Sequence, residues 1–478
     1  MTPEDPKPRF PALTAEVATF AASTRIEDIP PEAQRLCKKS ILDSLGTGLS
    51  GSVAPVSDVF RRYLKQLGCG EGPSRAIGTN LRLPPRFAAL LNGIAMHADD
   101  FDDTWQSVPD GPRARSRGRM GVHATAPALA AVLAAGEAES RSGNELLTAC
   151  LVGIEVACKV FDATDFADND NAFHATGTCA LVGAAMGVAN LRRMDEGAIR
   201  RTLGIACDQT SGLTVQVGTM AKPWKSGRSA ECAVLAADLT ALDFTAAETV
   251  LEDEGGYFQL EGGGYHQKVI HNLGNPWCFL DRGIWLKPYP TCSLGHPALT
   301  QLLDLVQEHD VGPDDVSRIR VRTRDGTFKH LSYHHPQLAL EAKFSLEFCL
   351  ATILLERALG LKHIDDAFVG RSDVQDLIGR IEYTPYTEDE ARRGNYALLT
   401  AFVELEMKDG RKLSGRVDYS KGSKVNPMNE NEVAEKFRLC AEYGGLPGDK
   451  ADRVIKMLER LEELADVREL TALLSAGA

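Results

Sequence analysis

The 478-residue chain lacks most of the features that announce a cofactor, a membrane or a nucleic acid. Its 11 cysteines run from Cys37 to Cys440 without a single C-x-x-C pair, so the spacings of a structural zinc site and of an iron–sulfur cluster are both missing. An odd, scattered set of this kind fits thiols kept reduced, and the chain reads as cytoplasmic. Long apolar runs are absent. The most apolar stretches, such as 126–136, are too short to span a bilayer, and no membrane contact is expected. The start, Met1 to Pro11, is proline-rich and charged, unlike a secretory or an Arg-rich transit peptide. Positive charge is in deficit, with 53 Lys and Arg against 66 Asp and Glu and a net charge of −13, so no nucleic-acid partner is expected. An anionic small molecule would need a local basic pocket.

Phosphate loops are also missing, since no G-x-x-x-x-G-K-[ST] occurs. Gly46-Thr47-Gly48-Leu49-Ser50-Gly51 matches G-x-G-x-x-G, yet a helical pattern precedes it and Pro55 follows. The dinucleotide fingerprint needs a strand before and a helix after. The motif reads instead as a helix C-terminus with glycine stops. His334-His335 has no partner at ligand spacing, so no metal is expected there or elsewhere.

What is present is helix. A chain of this length can bury a large core and hold two or three domains. Apolar spacing predicts helices over 34–49, 126–137, 142–161, 183–191 and 230–242, with a short one over 245–251. Ser142 and Glu145 form a capping box at the third of these. The texture changes near Trp277. Residues 317–323 alternate Ile319 and Val321 against Arg318, Arg320 and Arg322, the period of a half-buried strand. Asp409-Gly410 between Phe402, Val403, Leu405 and Leu413, Val417, Tyr419 signals a hairpin. Residues 299–306 and 346–359 read as helices between strands. Val454, Leu458, Leu461 and Ala465 then mark one buried helical stripe. The expected fold is mainly α: a large all-helical domain built from 1–281 and 421–478, with a smaller α+β domain, 282–420, inserted.

Four stretches carry candidate chemistry. In His97-Ala98-Asp99-Asp100-Phe101-Asp102-Asp103-Thr104, four carboxylates occupy five positions behind a helix that starts at Pro84-Pro85 and carries Phe87, Leu90, Leu91, Ile94 and Met96. The run falls at a helix C-terminus, where the macrodipole disfavours anions, so cations or hydrogen-bond donors should meet it in the fold. His174, in Phe173-His174-Ala175-Thr176-Gly177-Thr178, sits before a Gly/Ala-rich helix. A helix N-terminus lowers an imidazole pKa and attracts anions. Lys222, Lys225 and Arg228 precede a helix expected to begin near Ser229, with Pro223, Trp224 and Gly227 shaping a half-buried basic cluster. Leu286-Lys287-Pro288-Tyr289-Pro290-Thr291-Cys292 pins Lys287 and Tyr289 between prolines, and His296 opens the helix beyond. His123 opens another helix, after a run with Arg113, Arg115, Arg117 and Arg119.

These stretches, in this order, resemble the MmgE/PrpD family of 2-methylcitrate dehydratases, cis-aconitate decarboxylases and iminodisuccinate epimerases. The landmarks are Ile41-Leu42-Asp43-Ser44-Leu45-Gly46, Leu91-Asn92-Gly93, Asp100-Phe101-Asp102-Asp103-Thr104, His174-Ala175-Thr176-Gly177-Thr178, Lys222-Pro223, Lys287-Pro288-Tyr289-Pro290, Ala342-Lys343-Phe344-Ser345 and Lys421-Gly422-Ser423 through Asn426-Pro427-Met428. The resemblance implies a homodimer and a cofactor-free site between the helical domain and an α+β lid. It places Asp100, Thr104, His123, His174, Lys222 and Lys287 in that site, with Lys225, Arg228, Tyr289 and Cys292 as further candidates for substrate binding. Three features depart from the family pattern. Cys292 stands where family decarboxylases carry a second lid histidine, Lys225 where a histidine often follows Lys-Pro-x, and the arginine-rich run before His123 is an insertion.

The expected reaction removes a proton next to a carboxylate of a di- or tricarboxylate and then expels hydroxide, as in a 2-methylcitrate dehydratase. Lys222 and Lys287, with Arg228, would neutralise the carboxylate. One of His123 and His174 would be the base and the other would protonate the leaving hydroxyl. Asp100 would orient a histidine or lysine, and Thr104 would bond a substrate oxygen. Epimerisation and decarboxylation start from the same chemistry. A non-catalytic carboxylate-binding dimer is the alternative of another class.

Overall fold

The computed structural model describes residues 12–106, 121–164, 173–262 and 264–475. The arginine run 113–119 and the whole N-terminal segment 1–11 considered above lie outside them. Among the described residues the first region is built chiefly from the helices α1 (Leu13–Ser23), α2 (Pro31–Ser52), α3 (Pro55–Gln66), α4 (Pro85–Ala98), α5 (Thr125–Ala138), α6 (Gly143–Ala163), α7 (Cys179–Leu191), α8 (Glu196–Cys207) and α9 (Ala221–Thr240). The capping box at α6 is present: the Glu145 amide donates to Ser142 Oγ at 3.2 Å, and the Ser142 amide to Glu145 Oε2 at 2.9 Å.

The second region holds α10 (His296–Glu308), α11 (Asp325–His330), α12 (Leu346–Glu356) and α13 (Ser372–Ile378) beside a sheet of β1 (Val316–Arg324), β2 (Ile381–Tyr386), β3 (Ala401–Met407) and β4 (Lys412–Val417). The sheet order is β2-β1-β3-β4, with β2 parallel to β1 and the other pairs antiparallel. The hairpin turns at Gly410, whose φ of 88° belongs to the left-handed region that glycine enters freely. Finally α14 (Glu430–Tyr443) and α15 (Gly448–Glu459) return to the first region.

The buried apolar side chains fall into two main clusters. One runs from Leu13 to Leu286 and resumes from Met428 to Leu474; the other lies between Trp285 and Met407. The fold is mainly α, as expected. An antiparallel pairing of Thr104 with Trp285 ties the end of the acidic stretch to the segment carrying Lys287.

Several local expectations need correcting. The glycine motif 46–51 lies inside α2 and does not end it. A Cβ on Gly51 would stand 1.9 Å from the Ala95 carbonyl oxygen, so glycine serves close packing of α2 on α4. The helix after the Lys222 region begins at Ala221, not near Ser229. Pro223 falls in its first turn, where a missing N–H costs no intrahelical bond. Lys222, Lys225 and Arg228 are therefore helical, at successive turns of α9. Gly227 and Gly93 let α9 and α4 touch: a Cβ on Gly227 would lie 2.4 Å from the Leu90 carbonyl oxygen. The segment 245–251 forms turns and no helix. Ala465 is exposed because α15 has ended by then.

Candidate active site

The acidic stretch is met by cations, as its position at a helix end requires. α4 stops at Ala98 and the chain turns at Asp100, whose φ of 52° lies in the left-handed region that aspartate tolerates better than most residues. Ammonium groups then satisfy the carbonyls at and just beyond the helix end. Lys343 donates to Ala98 O at 2.9 Å, Lys287 to Asp100 O at 2.8 Å and Lys436 to Phe101 O at 2.7 Å. Each carboxylate has its own partners. Asp99 accepts from Ser50 Oγ at 2.7 Å. Asp100 Oδ1 accepts from Lys222 Nζ at 2.6 Å and from Lys287 Nζ at 2.9 Å. Asp102 pairs with His97 Nδ1 at 2.9 Å and His123 Nδ1 at 3.1 Å. Asp103 Oδ2 accepts from Thr125 Oγ1 at 2.7 Å.

The side chains meet in a cavity of about 30 Å³, lined by Asp100, Thr104, His123, His174 and Lys222 from the helical region and by Lys287, Cys292, His330 and Phe344 from the second. Seven of the residues singled out in the sequence share it: Asp100, Thr104, His123, His174, Lys222, Lys287 and Cys292. Three stand elsewhere. Lys225 gives its ammonium to the Leu213 carbonyl, Arg228 pairs with Glu231 at 2.9 Å, and Tyr289 packs against His296 in the second core. A larger cavity, about 520 Å³, opens beside the start of α2, but its lysines Lys39 and Lys424 already donate to backbone carbonyls and Arg35 to glutamates. The smaller cavity holds the chemistry.

Hydrogen-bond partners assign the histidine tautomers. His123 Nδ1 faces two acceptors, Asp103 O at 2.9 Å and the Asp102 carboxylate, so it carries the proton and Nε2 is left with a lone pair. His174 Nδ1 accepts from the Thr176 amide at 3.3 Å, so the proton of the neutral ring is on Nε2. The two rings lie nearly parallel, 6.4 Å apart at an interplanar angle of 10°. His97 donates from Nδ1 to Asp102 and offers Nε2 to Lys222 Nζ at 3.0 Å.

Burial and charge set the protonation states. Burial first, and then the charges of Lys225 and Lys222, hold His174 well below the usual imidazole range. Burial lowers His123 too, opposed by Asp102, and lowers His97 to about 3. Burial works to raise Asp100, but Lys222 and Lys287 outweigh it and keep the carboxylate well below its usual range. Burial likewise opposes ionisation of Asp102, and His123 and His97 prevail. Burial and then the neighbouring Asp43 push Asp103 up to about 8. Lys287, only 2% exposed, is raised because Asp100 overcomes its burial.

His97, Asp100 and His123 lie close enough for one atom of each to surround a metal ion. His123 Nε2 and Asp100 Oδ2 are open, but both His97 nitrogens are engaged by Asp102 and Lys222, and Asp100 Oδ1 by two ammonium groups. Two ammonium charges against that oxygen oppose a further cation.

Sequence reading missed His97, Asp102, His330 and Gln106 as site residues. Asp102 and His97 stood in the quoted acidic stretch; their five-residue separation spans a helix end, where helical periodicity no longer says which groups face each other. His330 and Gln106 carry no sequence signal that would single them out.

Two family models match the chain: the MmgE/PrpD N-terminal domain over residues 15–269 and the MmgE/PrpD C-terminal domain over residues 289–463. The chain is similar to the cis-aconitate decarboxylase of Homo sapiens, 26% identical over 97% of this chain and 94% of the relative, and to that of Mus musculus, 25% identical over 97% and 93%. It is also similar to the cis-aconitate decarboxylase-like protein oryM of Aspergillus oryzae, 25% identical over 97% of each. Matched along nearly its whole length, with a buried acid–base cluster between its two cores, the chain belongs to the MmgE/PrpD family and is an enzyme of the lyase type found there.

Proposed function

We propose that this enzyme is a cofactor-independent hydro-lyase for a di- or tricarboxylate of the 2-methylcitrate kind, working by proton abstraction next to a carboxylate. The opposite tautomers of His123 and His174 carry the reading. One ring offers a lone pair and the other an N–H, both on the cavity, so a base and an acid are present together.

In the proposed step His123 Nε2 takes the α-proton, and the electron pair is held as an enediolate on the adjacent carboxylate. Lys222 and Lys287 face that carboxylate as fixed positive charges, held in place by Asp100. The electron pair then forms the double bond as the carbon–oxygen bond breaks. His174 Nε2–H gives its proton to the departing hydroxide, forming water and an unsaturated carboxylate, and the proton held on His123 then passes through that water to His174 Nε2, leaving both rings neutral as they began. Asp102 stabilises the imidazolium formed on His123. Thr104, on the cavity wall, is placed to bond a substrate oxygen. A cavity of about 30 Å³ holds one or two waters, so the two walls part for substrate to enter. We take those walls as two domains, 1–281 with 421–478 and 282–420, the second acting as a lid.

A second reading, decarboxylation of a cis-aconitate-like substrate, is favoured by the names of the relatives. There a carboxylate leaves as carbon dioxide, its electron pair shifts through the double bond, and a histidine protonates the far carbon. Cys292, a thiol whose pKa burial pushes up to about 11, would stay neutral in either reaction.

Proton NMR of the purified enzyme in D₂O, with chelator and a panel of 2-methylcitrate, citrate, cis-aconitate and hydroxy- and imino-dicarboxylates, tests the proposal. The expected result is loss of water from a hydroxy-tricarboxylate with deuterium entering beside a carboxylate. Carbon dioxide release from cis-aconitate would favour the second reading. No exchange and no product from any compound would remove both.

A further inference from the structure

His97 is not explained by acid–base chemistry on substrate. It is absent from the cavity wall, both its nitrogens are engaged, and burial keeps it neutral. Yet it lies between Lys222 and the Asp102–His123 pair. Lys222 Nζ, from α9, donates to Nε2 at 3.0 Å. Nδ1 donates to the Asp102 carboxylate at 2.9 Å. Asp102 in turn accepts from His123 Nδ1 at 3.1 Å, and the His97 and His123 rings meet at 4.5 Å. Lys222, His97, Asp102 and His123 thus form one unbroken hydrogen-bonded chain.

We infer that His97 is a positioning residue that couples carboxylate binding at Lys222 to proton abstraction at His123. The inference rests on the reading above in taking His123 as the base. Asp102 divides its acceptor strength between two imidazoles. An imidazole that accepts a strong hydrogen bond at Nε2 is the better donor at Nδ1, because chained hydrogen bonds polarise one another. When a substrate carboxylate draws Lys222 towards it, His97 loses part of that polarisation and holds Asp102 less. Asp102 then stabilises a proton on His123 more, so the base strengthens when substrate is in place. The charged groups acting directly on His123 are Asp102, Lys287 and Lys222; of the two lysines only Lys222 also acts through His97.

Two substitutions each preserve one half of the chain. His97→Asn keeps an amide donor near the Nδ1 position, and His97→Gln keeps an acceptor near the Nε2 position. For His97→Asn, KM for the carboxylate substrate should rise about tenfold with kcat within about threefold of wild type, the loss of one charge-assisted hydrogen bond. For His97→Gln, kcat should rise by up to about threefold with KM little changed, because Asp102 is already released to His123. The acid limb of kcat/KM should also move up by about half a pH unit, since Asp102 now serves His123 alone. Equal losses in both variants, with unchanged KM and an unmoved acid limb, would overturn the inference.

Nitrogen-15 spectra of histidine-labelled wild type supply a test that needs neither variant nor substrate. At pH 8, where imidazoles are neutral, at least two should carry the proton on Nδ1, as His97 and His123 do here. Fewer than two would overturn the inference even if the enzyme proves active. Finding both in an enzyme inert to every panel compound would leave the chain standing and place the failure in the proposed reaction.

Discussion

Two regions of the molecule concentrate charge, and they do so differently. On the sheet, Arg320 of β1 meets Glu382, Glu404 and Glu406 across strands, while Arg322 meets Glu390 and Arg324 meets Glu388 on the short helix that follows β2. The Arg320 side chain is still 35% exposed. Such pairs are screened by water and contribute little beyond strand register and solubility. Between the two cores the charges are buried, and Asp100 is held from elements distant in sequence. Lys222 lies 122 residues from Asp100, and Lys287 lies 187. Asp100 Oδ2 and Asp103 Oδ1 are left without a hydrogen-bond partner. Burying ions costs several kcal/mol each unless all valences are filled, so the incomplete satisfaction marks a site built for something other than stability.

The sharpest test of that contrast is removal of the acid–base pair. His123→Gln and His174→Gln should each lower kcat by about 10²–10⁴-fold in protein whose far-ultraviolet circular dichroism matches wild type. Lys287→Met should follow, with kcat/KM down by about 10²–10³-fold, since Asp100 keeps only Lys222 and the carboxylate of substrate loses one fixed cation.

The difference between these regions also governs what could be read from sequence. The alternation of Arg318, Arg320 and Arg322 is a local, period-two signal, and β1 (Val316–Arg324) contains the whole predicted segment. The acidic stretch was legible as a charged helix end needing donors. Which lysine meets which aspartate depends on contacts over a hundred residues apart, and periodicity carries no such information. Lys225 and Arg228 show the limit. They follow Lys222 at spacings of three and six, yet the turns of α9 aim them at Leu213 and Glu231 and away from the cavity. The glycines at 46–51 misled because a glycine inside a helix and one that ends it look alike until the partner helix is known.

A smaller effect separates Asp103 from its neighbours. Its pKa is raised to about 8 in the fold, above its value in the unfolded chain. The native state therefore binds the extra proton, and the contribution to stability is full below about pH 4 and lost as pH rises towards about 8. Asp103→Asn should remove that loss. Thermal melts should show the variant gaining on wild type between pH 5 and pH 9; a constant difference across that range would show that Asp103 does not titrate as described. The smallest effect belongs to the sheet. Arg320→Ala should leave kcat/KM unchanged and move the melting temperature by no more than about 2 °C. A larger loss of activity would mean that the sheet's charges reach the site.

The order of events at the two histidines is the most direct point at which to test the site. Exchange of the substrate α-proton with D₂O should be followed by NMR in wild type, His123→Gln and His174→Gln, each confirmed as folded. The expected result is exchange lost in His123→Gln and retained in His174→Gln without net loss of water. Exchange that survives in His123→Gln, or disappears only in His174→Gln, would contradict the assignment of His123 as the base.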